Sequence, residues 1–218
     1  MDHDGEIRVN DHGGGVTLAS DGLLLRPWRE DDLAALLRAY DDPAMRRWLA
    51  TQVSGPDAAA DWLEAQRTGW AAGTRFAFAV TGTGREDGRE GELLGNVVLK
   101  RSARSDGRAE VGYWTTAPAR GRGVASGALA ALTDWAFTDF PGPVPAGLDL
   151  LHQVDNAASC RVAEKCGYAL ARVIPALPPD YPLDGHVHAR EAPAAALRPP
   201  ADRRAEAAGT GGGRSSGR

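Results

Sequence analysis

The apolar positions of this chain fall into two rhythms, one near every second residue and one near every 3.6, and they change over at glycines and prolines. GLLLRPW, residues 22–28, is a short apolar run closed by Pro27 and predicts a strand. In EDDLAALLRAY, Leu33, Leu36, Leu37 and Tyr40 recur at i, i+3, i+4 and i+7, which predicts a helix with one buried stripe and acidic residues at its start. DDPAMRRWL predicts a short helical turn, and residues 57–68 a further helix opened by Ser54-Gly55-Pro56. RFAFAVT and ELLGNVVLK read as strands joined by the polar, glycine-rich TGTGREDGREG, a hairpin with a long exposed loop. AEVGYWTT is a fourth strand. The helix predicted over 123–138 carries Val124, Ala128 and Trp135 in one stripe, with Leu129, Leu132 and Ala136 beside it. PGPVPAG breaks the chain, and LDLLHQV is a fifth strand. Asn156 caps a helix that runs to Cys166, where Gly167 supplies a left-handed stop. YALARVI and HVHARE are the last two strands. The order β-α-α-β-β-β-α-β-α-β-β predicts a mixed α/β (α+β) sheet fold rather than a regular βαβ alternation.

The 218 residues suffice for one ordinary domain with a buried core. Residues 1–20 contain GGG and few apolar side chains, and read as a flexible arm. Residues 192–218 are mostly Ala, Pro, Gly, Arg and Ser and read as a disordered basic tail, leaving 21–191 as the folded domain. Five arginines against Asp202 and Glu206 give that tail +3, so the rest of the chain carries −7 of the net −4. An acidic body argues against nucleic acid as a partner and suits a cationic amine. No apolar run approaches the ~20 residues of a membrane-spanning helix, so no membrane partner is expected. The polar start MDHDGEIRVN and two cysteines with nothing to staple point to the cytoplasm; either a monomer or a homodimer is expected. Cys160 and Cys166 read as core thiols.

ARGRGVASG, residues 119–127, places two arginines and three glycines at the mouth of an amphipathic helix. Both choices are locally unfavourable, because glycine weakens the helix start and arginine adds charge where the dipole is already positive. An anion bound there explains both: unpaired amides and the dipole face it, Gly121 and Gly123 let it approach the backbone, and Arg120 and Arg122 add charge. A nucleoside triphosphate would want GxxxxGK[ST], which is absent. A dinucleotide fits GxGxxxG, Gly121-Gly123-Gly127, although the polar TTAPAR separates those glycines from the strand. Coenzyme A carries a pyrophosphate and an amide-bearing arm that can pair with a strand edge.

RGRGVA, Arg120 to Ala125, resembles the [QR]-x-x-G-x-[GA] acyl-CoA loop of the GNAT N-acetyltransferases. GLLLRPWREDDLAAL resembles the family's opening strand and helix, in the branch of the ribosomal-protein N-terminal (RimJ/RimL-type) acetyltransferases. EVGYW resembles that branch's fourth strand, and DNAASCRVAEKCGY its N-x-x-[AS]…K-x-G-[FY] segment. The resemblance is colinear over roughly residues 22–190. It implies a mostly antiparallel sheet splayed between strands four and five, with helices on both faces and acetyl-CoA in the V. It further implies pantetheine bonded near Thr115 and Thr116, the pyrophosphate held by amides of Arg120, Gly121, Arg122, Gly123, Val124 and Ala125, and Asn156 contacting the cofactor from the fifth-strand side.

The implied chemistry is acetyl transfer to a primary amine, either a protein N-terminus or a small amine. Glu110 on the fourth strand is the first candidate base, with His152, Asp149 and Asp155 in reserve. Many family members carry a helix tyrosine seven residues after the asparagine; here Ala163 stands there, and Ser159 is the candidate partner for the leaving thiolate. Trp28, Trp114 and Tyr181 are candidates for the acceptor wall, and the proline-rich IPALPPDYPLDG is a candidate cover. His186 and His188 share one face of the last strand; two histidines without a third ligand make a poor metal site, so no metal is expected. Two other readings stay open: an acyl-CoA sensor or inactive partner domain, and a nicotinamide enzyme using GxGxxxG.

Overall fold

A computed structural model describes residues 16–83, 90–101 and 106–197. The first strand predicted from the sequence, β2 (Leu23–Pro27), lies between a short edge strand β1 (Leu18–Ser20) and β3 (Arg75–Thr83), all antiparallel. Strand β4 (Glu90–Arg101) continues the meander and β5 (Ala109–Thr115) follows it, again antiparallel. Beyond β5 the sheet adds β6 (Gly147–Gln153) in parallel, then β8 (Gly185–Glu191) and, at the far edge, β7 (Ala169–Ile174). The eight strands thus run in the order β1-β2-β3-β4-β5-β6-β8-β7. The added edge strand corrects the reading of residues 1–20 as an arm: Leu18 pairs with Leu25 and is buried. At the other end, Ala192 and Ala196, assigned by composition to the tail, pack against the main core. The rest of both proposed termini, 1–15 and 198–218, lies outside the described residues.

Strand alternation divides the sheet into two faces. Phe76, Phe78 and Val80 of β3, with Val97 and Leu99 of β4, turn toward α4 (Val124–Thr138), whose Leu129, Leu132 and Trp135 complete the larger core. Helix α5 (Ala157–Lys165) joins this face through Ala163. The intervening residues Ala77, Ala79 and Val98 turn the other way, under α1 (Leu33–Tyr40), α2 (Pro43–Trp48) and α3 (Pro56–Ala71). Helices therefore cover both faces of one mixed sheet. Among the described residues no helix is long and apolar enough to cross a membrane.

One discontinuity in this sheet matters most. Strands β5 and β6 pair only at Ala109–Leu148, Glu110–Asp149 and Val111–Leu150, and past that point they part. Because Thr116 N–H donates to Leu94 O at 2.9 Å, antiparallel alternation turns the amides of Tyr113 and Thr115 away from β4, toward the gap.

Candidate active site

The mouth of α4 closes one end of that gap. Gly121 and Gly123 have φ of +72° and +81°, left-handed values that any side chain would strain, and among the described residues, chain neighbours aside, no atom lies within 4 Å of where a Cβ would sit on either. Gly123 is the N-cap of α4 and offers no side chain to its amides. The first intrahelical bond runs from Gly127 N–H to Gly123 O at 2.9 Å, so the amides of the first turn face outward without a helical acceptor. A cleft of about 420 Å³ opens here, with Arg120, Gly121, Gly123, Val124 and Ala125 on one side and Asn156 and Ser159 on the other. Thr115 forms part of its floor and α2 its far wall. Of the other residues read as cofactor contacts, Thr116 spends its amide on β4, and Arg122 is exposed beside the cleft rather than lining it. The Arg120 guanidinium is already engaged by the Asp42 carboxylate of the α2 N-cap.

A second cleft of about 740 Å³ lies on the α1–α3 side and shares Tyr113, Trp114, Asn156 and Ser159 with the first. The two are one passage through the parted strands. Glu110 lines the larger cleft, and its carboxylate accepts from Lys100 Nζ at 2.6 Å. Trp114 and Tyr181 line it too, as do Leu177 and Leu183 of the proline-rich loop. Trp28 does not: it is buried in the smaller core, its Nε1 donating to Asn96 Oδ1 at 3.0 Å, which corrects its reading as an acceptor wall. The reserve acids are engaged elsewhere, Asp149 by Arg108 at 2.7 Å and Asp155 by Arg47 at 2.7 Å.

On the α4–α5 side, Asn156 Oδ1 accepts from Ser159 N–H at 3.2 Å, capping α5. Ser159 Oγ in turn lies 3.1 Å from the Tyr113 hydroxyl. Burial pushes the Tyr113 phenol up to about 12, with the Ser159 contact acting against that rise. Sequence reading passed over Tyr113, although its strand position, alternating with Glu110 and Trp114, already set it on the opposite face. Ala163, where a tyrosine was expected from the resemblance, is fully buried in the core.

Beside this passage the structure also brings His152 and Cys160 to the pair His186 and His188, donor atoms of all four lying within 4.8 Å of one another. Counting only the last strand gave two histidines; pairing with β6 supplies the third and α5 the thiol.

The family of the acetyltransferase (GNAT) domain matches residues 22–169, more than half of the chain. No curated protein matches the sequence. Among solved structures, Mycobacterium smegmatis RimJ in complex with CoA-disulfide is 24% identical, with TM-score 0.64, covering 89% of this chain and 90% of that one. An acetyl transferase from Salmonella typhimurium that modifies the N-terminal serine of a 50S ribosomal subunit protein is 20% identical, with TM-score 0.65, covering 80% and 97%. The microcin C7 self-immunity acetyltransferase MccE, in complex with acetyl-CoA and AMP, is 16% identical, with TM-score 0.68, covering 82% and 97%. With the parted β5–β6 pair and the glycine-mouthed α4 described above, the family match has one consequence: the chain belongs to the GNAT acetyltransferase family.

Proposed function

We propose that the chain is an N-acetyltransferase that moves the acetyl group of acetyl-CoA to a primary amine by direct attack, with both substrates bound at once. The observation that supports this most is the meeting of the two clefts at Tyr113, Trp114, Asn156 and Ser159, beside the parted strands. Acetyl-CoA supplies an activated thioester. The first-turn amides of α4, with Arg120 and Arg122, would hold its pyrophosphate, and the open edge of β5 its amide-bearing arm. At that edge the amides of Tyr113 and Thr115 are the donors for oxygen charge developing on the carbonyl. From the larger cleft Glu110 attracts the ammonium group and takes its proton through water. Ser159, supported by Tyr113, hydrogen-bonds the departing thiolate. Aligning both reactants in one passage is worth about 7–11 kcal/mol, the largest single contribution in this scheme.

The acceptor is a protein N-terminus or a small amine; the first is the acceptor class of the Salmonella neighbour. A second reading, an acyl-CoA-binding partner domain with little turnover, is favoured by two observations. Ala163 replaces the helix tyrosine, and Lys100 already occupies the Glu110 carboxylate. The test is free-thiol release from acetyl-CoA across a panel of amines, including a peptide with N-terminal serine, alongside calorimetry with acetyl-CoA. Saturable, amine-dependent release is expected. Tight acetyl-CoA binding without release on any amine favours the second reading, and absence of binding sinks both.

A further inference from the structure

The four donors near the passage come from three separate elements. In the β6–β8 ladder His152 stands opposite His186 and Leu150 opposite His188, so the three imidazoles share one sheet face. That face is the one covered by α5, and Cys160 comes down onto them. Its Sγ lies 3.3 Å from His186 Nδ1 and 3.6 Å from His152 Nε2.

His188 carries the observation that a packed core leaves unexplained. It is 1% exposed, its Nδ1 lies 3.2 Å from the Tyr168 carbonyl, and among the described residues its Nε2 has no hydrogen-bond partner. A carbonyl can only accept, so Nδ1 holds the hydrogen and Nε2 is a bare lone pair in the interior. A buried acceptor left without a donor is costly and rare. His152 repeats the arrangement: its Nδ1 is 2.8 Å from Gln153 O, leaving Nε2 turned to Cys160. Imidazoles whose second nitrogen is fixed by a backbone carbonyl are pre-oriented as metal ligands.

We infer that His152 Nε2, Cys160 Sγ, His186 Nδ1 and His188 Nε2 form a four-ligand site for a zinc-class divalent ion. Tetrahedral bonds of about 2.0–2.1 Å to nitrogen and about 2.3 Å to sulfur set ligand atoms roughly 3.3–3.6 Å apart, the spacing of both thiol contacts above. Three nitrogens and a sulfur select zinc or a neighbouring transition ion over magnesium or calcium. Binding displaces the thiol proton to solvent and forms the metal–thiolate bond. With all four positions supplied by the protein the site is structural, not hydrolytic. Cys160 directly follows Ser159 and sits one turn from Asn156, so the ion clamps to β6 and β8 the helix turn that walls both clefts. His152 also lines the larger cleft, which gives the ion a route from solvent.

The test uses tag-free, chelator-stripped full-length protein in which His3 and His12 are replaced by alanine, so that only the described histidines remain. Titration with cobalt(II) should give a thiolate-to-metal charge-transfer band and tetrahedral visible absorption that saturate at one equivalent and are bleached by zinc. Cys160→Ser should abolish the band, and His152→Ala should weaken cobalt binding at least 10-fold; neither position is deeply buried. In the otherwise unaltered chain, zinc should protect Cys160 from alkylation, read by peptide mass spectrometry, and raise Tm by several degrees. Failure to bind cobalt, a band that survives Cys160→Ser, or equal alkylation of Cys160 with and without zinc overturns the inference.

Discussion

The Tyr113 hydroxyl stands 3.1 Å from Ser159 Oγ, reaching from β5 across the gap to the first turn of α5. Burial holds this phenol at about 12, so it is a neutral donor throughout the working range. A thiol, with pKa near 8.5, is the stronger acid by roughly 3–4 units, so Tyr113 would stabilise a departing thiolate through Ser159 without giving up its proton. A hydrogen bond to a charged group is worth about 1.5–3 kcal/mol. Tyr113→Phe should therefore lower kcat about 10-fold or somewhat more, with KM for acetyl-CoA unchanged. Ser159→Ala should do the same, and the double variant should fall no further than the worse single. Steady-state kinetics decide; a Tyr113→Phe enzyme with unaltered kcat removes the pair from the chemistry.

Glu110 faces the larger cleft with Lys100 on one carboxylate oxygen. If it relays the ammonium proton, Glu110→Gln keeps the shape and a neutral partner for Lys100 but loses the base. The expected fall in kcat is about 10²-fold or more, with acetyl-CoA affinity by calorimetry unchanged. Turnover that survives this change leaves the carboxylate a shaping role only.

Asp42 carries two duties. One oxygen accepts from Ala44 N–H at 2.9 Å to cap α2, and the other engages Arg120 at the glycine loop. The Ala44 amide first, and then Arg120, hold this carboxyl below its ordinary range. A bound pyrophosphate would have to share Arg120 with it. Asn caps a helix as well as Asp, so Asp42→Asn removes the competing charge and keeps the cap. KM for acetyl-CoA should drop about 2- to 5-fold, the scale of one exposed ion pair, and the gain should shrink in high salt. A rise in KM instead would mean that Asp42 aims Arg120 at the anion.

Periodicity predicts elements with one buried face, such as α1, while β3, buried on both faces, is legible as a short apolar run bounded by polar and glycine-rich segments. Strand β1 escaped because three residues cannot show alternation, and its existence depends on pairing with Leu23–Leu25. The glycine mouth of α4 was legible because its residues contradict local propensity, which only a ligand or a special backbone explains. Trp28 and Trp114 illustrate the opposite case: both are large and apolar, and only the fold decides that Asn96 takes the Trp28 indole while Trp114 borders the passage. Tyr113 and Ser159 are 46 residues apart, and what joins them is the gap between strands. The His186–His188 alternation was visible, but no local spacing encodes β6 lying beside β8 and Cys160 above them.

Three phenols raised by burial make stability fall at high pH, among them Tyr168, which is fully buried, with the Thr133 contact acting against the rise. Tyr40, 5% exposed under α1–α3, is pushed by burial to about 12, with Arg75 acting the other way, and Tyr113 reaches the same value. Their ordinary value is 10.0. A folded pKa above the unfolded one means that the native state binds more protons between the two, so the phenols' contribution is fully present below pH ~10 and drains away as pH rises toward ~12. Two units correspond to about 2–3 kcal/mol for each of Tyr40 and Tyr113. The buried Cys166 thiol, raised by burial from 9.0, adds to the loss from the lower side. Urea denaturation should accordingly give a flat ΔG up to pH ~8.5, then a decline on the order of several kcal/mol by pH ~11. Tyr40→Phe removes one titrating hydroxyl while keeping the ring, and should make that decline shallower by up to one tyrosine's share. Parallel declines in the variant and the parent would show that burial of Tyr40 does not set the alkaline limit.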